Sequence, residues 1–114
     1  MYIVLLGMRG EPLKGHLDLL ILAAVRAESR HGYAVIEALR LRSSGVFDLA
    51  EGTIYPALHR LERGGLLASQ WSVHDGRRRR VYRLTRKGRV ALADQTEQWS
   101  LFSRAVAAVV GATA

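Results

Sequence analysis

The side chains in this 114-residue sequence that could do chemistry are four histidines and seventeen lysines and arginines. His16, His31, His59 and His74 stand 15, 28 and 15 residues apart. None has a second histidine three or four positions on, the spacing that sets two imidazoles on one helix face for a metal. Glu28 and His31 are three apart, but a surface or capping histidine fits that pair better than a shared ion. With no cysteine, the sequence has no thiolate zinc site, no cysteine nucleophile and no disulfide scaffold. It also lacks a Gly-x-x-x-x-Gly-Lys phosphate loop, a Gly-x-Ser-x-Gly elbow and a His-Glu-x-x-His zinc pair. No enzyme is expected, and no metal or cofactor.

The arginines tell more. The net charge is +7, yet residues 1–58 balance six basic against six acidic side chains. Residues 59–89 carry ten basic groups against Glu62 and Asp75 alone. A positive field concentrated in one third of the chain is what binding to a polyanion requires. Arg77, Arg78, Arg79 and Arg80 follow Asp75-Gly76, a favoured pair for a tight hairpin turn, so the densest charge sits at a tip that can reach phosphates. No stretch free of Asp, Glu, Lys and Arg exceeds the 11 residues of Gly64–His74, far too short to span a membrane. A cytoplasmic protein with no membrane partner is expected.

Single-domain length frames the elements that must position these groups. Residues 1–12 are an N-terminal extension: an added strand, a disordered stretch, or sequence upstream of a start at Met8. Leu17, Leu20, Ile21 and Ala24 define one face of a first helix over about Lys14–Glu28. Arg30-His31-Gly32 breaks it: Gly32 permits a turn and Tyr33 fills the space between helices. A second helix over Tyr33–Leu41 turns Val35, Ile36 and Leu39 inward. Thr53 reads as the N-cap of a third, which places Pro56 in the first turn. Its buried stripe is Ile54, Ala57, Leu58 and Leu61, and Gly64-Gly65 ends it. Leu66–Val73 and Arg78–Thr85 form the hairpin. A two-residue loop pairs Leu67 with Leu84, Ser69 with Tyr82 and Trp71 with Arg80, turning Leu67, Tyr82 and Leu84 onto the helices.

Three helices, a hairpin and a last helix give a mainly α fold with a small β-hairpin. It is a winged helix-turn-helix domain over residues 13–88, with a long C-terminal dimerisation helix over 89–114. In that architecture the third helix can lie in the major groove while the wing reaches the neighbouring backbone or minor groove. The basic residues fall on those two elements.

The blocks Leu17–Leu22, His31-Gly32-Tyr33, Gly52–Glu62, Gly65-Leu66-Leu67 and Tyr82–Gly88 together closely resemble the PadR family of bacterial transcriptional regulators. The resemblance runs from about Leu13 to Leu92, and Gly-Thr-Ile-Tyr-Pro-Ala-Leu-x-Arg-Leu-Glu is its most specific part. It implies a homodimeric repressor on a pseudo-palindromic operator in double-stranded DNA, released by a small molecule or a stress signal. By position, Thr53 and Tyr55 open the recognition helix. Pro56, His59, Arg60 and Arg63 share its outer face, and Arg77–Arg80 form the wing. Thr53 and Tyr55 can donate to phosphates, and Arg60 can reach a guanine edge with two parallel bonds.

In the tail, Leu92, Trp99 and Val106 recur every seven residues, and Gln95, Phe102 and Val109 follow three positions on, as in a coiled-coil seam. The short tail resembles the PadR subgroup with a single dimerisation helix. Trp99 and Phe102 are candidate effector contacts, since paired indoles near a twofold axis make a flat apolar slot. Two other readings stand beside the repressor: an adaptor whose arginines bind an acidic protein, and a metal-responsive variant resting on the histidines.

Overall fold

The computed structural model describes residues 16–112, so the extension over residues 1–12 lies outside the described residues. The elements are α1 (Leu17–Ala27), β1 (Arg30–His31), α2 (Gly32–Arg42), α3 (Glu51–Arg63), β2 (Leu67–His74), β3 (Arg77–Leu84) and α4 (Arg86–Val110). Three helices pack their apolar stripes together and the sheet closes one side. The core holds Ile21, Leu22 and Val25 of α1, Val35 and Leu39 of α2, and all four expected residues of α3. Leu67, Tyr82 and Leu84 face it from the hairpin, as the alternation requires.

The hairpin register is the expected one: Leu67 opposite Leu84, Ser69 opposite Tyr82, Trp71 opposite Arg80. Asp75 and Gly76 both have positive φ, 51° and 74°, the type I′ geometry that matches the twist of the flanking strands. The sheet has a third strand, unexpected from the sequence, in the segment that breaks α1 from α2. Arg30 and His31 pair antiparallel with Tyr82 and Val81, giving the order β1-β3-β2.

Two further expectations are corrected. Helix α3 starts at Glu51, because the N–H groups of Thr53 and Ile54 already donate to the carbonyl of Ala50 at 3.0 and 3.1 Å. Thr53 is therefore not the cap, and Pro56 lies in the second turn. Its missing N–H falls opposite the Gly52 carbonyl, on an exposed face where water can serve that oxygen. Gly32 is the first residue of α2 and makes no turn; a Cβ there would lie 2.5 Å from the Tyr55 ring. Tyr55 thus occupies the room that glycine leaves, while Tyr33, expected as filler, is 55% exposed.

The joint between α3, the hairpin and α4 is densely bonded. Helix α3 ends in a Schellman-type closure, with the Leu66 N–H on the Leu61 carbonyl and Gly65 at φ 80°. Thr85 caps α4, its Oγ1 accepting from the Gly88 N–H at 2.9 Å and donating to the Gly65 carbonyl at 2.7 Å. Lys87 Nζ donates to the Gly64 carbonyl at 3.0 Å. A Cβ on Gly88 would stand 2.1 Å from the Leu66 carbonyl oxygen, so only glycine lets the two segments approach this closely.

Candidate nucleic-acid interface

Along the hairpin the side chains alternate. Trp71, Val73, Arg78 and Arg80 continue the face of Ser69 and Tyr82, while Arg77 and Arg79 take the other. Arg80 donates from Nε to Ser69 Oγ at 2.7 Å, Ser69 Oγ donates to Glu62, and an Arg80 Nη lies 3.7 Å from the same carboxylate. The hairpin is thereby tied to α3. The guanidiniums of Arg78 and Arg80 lie 4.6 and 5.3 Å from the centre of the Trp71 ring, within cation–π range. Arg79 reaches instead to His31, with Nη1 and Nε2 2.8 Å apart. Arg77 and Arg78 make no ion pair among the described residues.

Helices and wing enclose a cleft of about 590 Å³ lined by Tyr55 and His59 of α3, Arg77–Arg80, Trp71, Tyr82 and the start of α2. Thr53, Pro56 and His59 are exposed on α3, and Tyr55 is half-buried over Gly32. Arg63 is exposed in the last turn. Arg60 is held otherwise: its two Nη atoms sit on the Asp18 carboxylate of α1 at 2.7 and 3.0 Å. The fork that could grip a guanine edge is already engaged within the protein. Burial raises the Tyr82 phenol above its ordinary value, with Glu62 adding to the effect, so it stays neutral inside the sheet.

Trp71, His31 and Tyr33 also line the cleft, beyond the residues expected from the sequence. A signal existed for Trp71, since the register already set it opposite Arg80. For His31 none did, because β1 is two residues long and has no period to read.

The tail departs from its expected seam at one end. Leu92 is 3% exposed and belongs to the core, because the first turns of α4 pack against α1. Beyond it Gln95 is half-buried, and Trp99, Phe102, Val106 and Val109 are exposed. The Trp99 ring meets His16 edge-on at 4.9 Å and Phe102 at 6.1 Å. Hollows of about 340 and 310 Å³ flank it, the larger walled by Leu19, Leu20, Val46 and Phe47. No group of three or more His, Asp or Glu close enough for a metal occurs among the described residues, and no described helix is long and apolar enough to cross a membrane.

The transcriptional regulator PadR-like family model matches residues 21–94. This chain belongs to the PadR-like family. The regulator is 45% identical over 78 residues to the transcriptional regulator Rv3488 of Mycobacterium tuberculosis, covering 68% of this chain and 60% of that protein. Among solved structures it is similar to a PadR family transcriptional regulator from Eggerthella lenta, with TM-score 0.75 and 32% identity over 85% of this chain and 83% of that one. A transcriptional regulator from Clostridium thermocellum superposes with TM-score 0.78 at 26% identity, covering 85% of this chain and 95% of the other. The PadR-like regulator therefore has the winged-helix fold and acts as a DNA-binding transcription factor rather than an enzyme.

Proposed function

We propose that this PadR-like regulator is a cytoplasmic homodimeric repressor that grips a pseudo-palindromic operator through α3 and the arginine hairpin. The winged domain extends to the start of α4, and α4 serves as the dimerisation helix. One observation carries the reading: Arg77–Arg80 line the same cleft as Tyr55 and His59 of α3. Phosphate contacts come from the wing, Arg63 and Thr53, and base contacts from the exposed face of α3. Arg60 joins them only by leaving Asp18. Support for the dimer comes from Trp99, Phe102, Val106 and Val109, an exposed apolar line on a 25-residue helix. An apolar small molecule seated at Trp99 and Phe102 is the proposed release signal.

A second reading draws on Trp71 and Val73, 56% and 69% exposed on the hairpin, the apolar anchors that an adaptor for an acidic protein would use. The test is fluorescence anisotropy with a duplex from upstream of the protein's own gene and a scrambled duplex, at several salt concentrations. A repressor binds the first at least ~10³ tighter, with a steep salt slope. No binding to either duplex at low salt removes the DNA reading and leaves the adaptor.

A further inference from the structure

His31 ends β1 and caps α2, and both of its ring nitrogens face donors. Nδ1 lies 3.3 Å from the backbone N–H of Ala34, and Nε2 lies 2.8 Å from Arg79 Nη1. A backbone amide and a guanidinium can only donate, and a neutral imidazole has a single lone pair on nitrogen. Within the protein, then, either the first turn of α2 or Arg79 goes without an acceptor. Protonation makes this worse, since imidazolium accepts nothing and carries the same sign as Arg79.

We propose that His31 and Arg79 together hold one backbone phosphate of DNA, with His31 a neutral imidazole donating from Nε2. The inference rests on the DNA-binding reading above and adds a contact to it. A phosphate oxygen beside Nε2 and Nη1 accepts from both, and the Nδ1 lone pair stays on the Ala34 N–H. Every donor is then matched by one ligand, an anion that only accepts.

The surroundings suit this. From β3 the ring faces Arg79, with Arg77, Arg78 and Arg80 lining the same cleft. His74 acts on it from the end of β2, and Tyr55 and His59 line the cleft from α3. On its own side stand Arg30, Tyr33, Glu37 and Arg42, with Glu28 bonded to Arg30 and Glu37 to Arg40. Among the described residues no carboxylate bonds His31 itself. Burial first, then Arg79 and His74, hold its pKa below the ordinary value, which keeps it neutral at pH 7 in the DNA-free protein. The helix that precedes a recognition helix crosses the DNA backbone, the place where such a contact is needed.

The test has two parts. In ¹⁵N-histidine NMR of the full chain at pH 7, His31 adopts the Nε2–H tautomer when the upstream duplex is added; His31→Asn assigns the signal. In anisotropy titrations His31→Asn, whose side chain still caps α2 but falls short of the phosphate, binds about tenfold more weakly per protomer. Its salt slope is unchanged, because a neutral donor displaces no counterion, whereas Arg79→Gln flattens the slope by about 0.9 per protomer. A His31 that keeps its proton on Nδ1 when bound overturns the inference. So does undiminished affinity of His31→Asn, or a flattened slope in that variant, which would mean an imidazolium. Failure of the wild-type chain to bind the duplex at low salt sinks the DNA reading itself, a separate outcome.

Discussion

Asp18 and Arg60 meet across 42 residues of sequence in a two-pronged bond that takes a cation out of the most basic third of the chain. Both side chains keep substantial contact with solvent, so the pair contributes no more than about 1 kcal/mol to stability. Its larger effect is on what Arg60 can do. In Asp18→Asn the guanidinium is released, and the salt slope of DNA binding steepens by about 0.9 per protomer, read by the same anisotropy titration. An unchanged slope would mean that the released Arg60 does not reach a phosphate. His31 gives a pH prediction at the same scale. Burial, Arg79 and His74 lower its folded-state pKa below 6.5, so between those two values the unfolded chain binds more protons than the folded one. The stability it contributes is complete above about pH 6.5 and is lost as pH falls toward the folded-state pKa. Urea midpoints at pH 7.5 and 5.0 will differ less in His31→Asn than in wild type.

Among the elements, the hairpin was the most legible in sequence. Period-two alternation and an Asp-Gly turn leave one register that buries Leu67, Tyr82 and Leu84 together, and the strands adopt it. The buried stripes of the helices were legible for the same reason, since one periodicity served each. The start of α3 was not. Ala50 caps it through backbone alone, which leaves no side-chain signal at the true start, while Thr53 has the chemistry of a cap two residues inside the helix. The role of Gly32 is not legible in sequence either, because its neighbour Tyr55 lies on another helix and no local pattern reports a close approach. The heptad in α4 hid a change of role: Leu92 serves its own core, whereas Trp99 one heptad later faces outward. Gly88→Ala tests the tightest packing between elements. With a backbone oxygen 2.1 Å from the new carbon, neither segment can yield by a side-chain rotation, so a loss of about 1–3 kcal/mol is expected from the urea midpoint.

At the scale of the whole molecule, charge and apolar surface are divided between opposite tasks. The basic groups gather on α3, the hairpin and the first turn of α4, while the far half of α4 presents Trp99, Leu101, Phe102, Val106 and Val109. Phe102→Glu places a charge on that line without touching the buried core. Sedimentation velocity should find a dimer for the wild-type chain and a monomer for the variant, with its circular dichroism retained. A dimer unaffected by Phe102→Glu would place the subunit contact elsewhere.

The bonded joint at Thr85, Lys87 and Gly88 gives α4 the properties of a lever. A helix of 25 residues extends about 37 Å, and its root is fastened to the carbonyls that close α3. Tilting such an arm by about 5° displaces its free end by about 3 Å at a rise of 1.5 Å per residue. Run in reverse, a modest shift where Trp99 sits is geared down to a small, stiff rotation of α3, with little slack to absorb it.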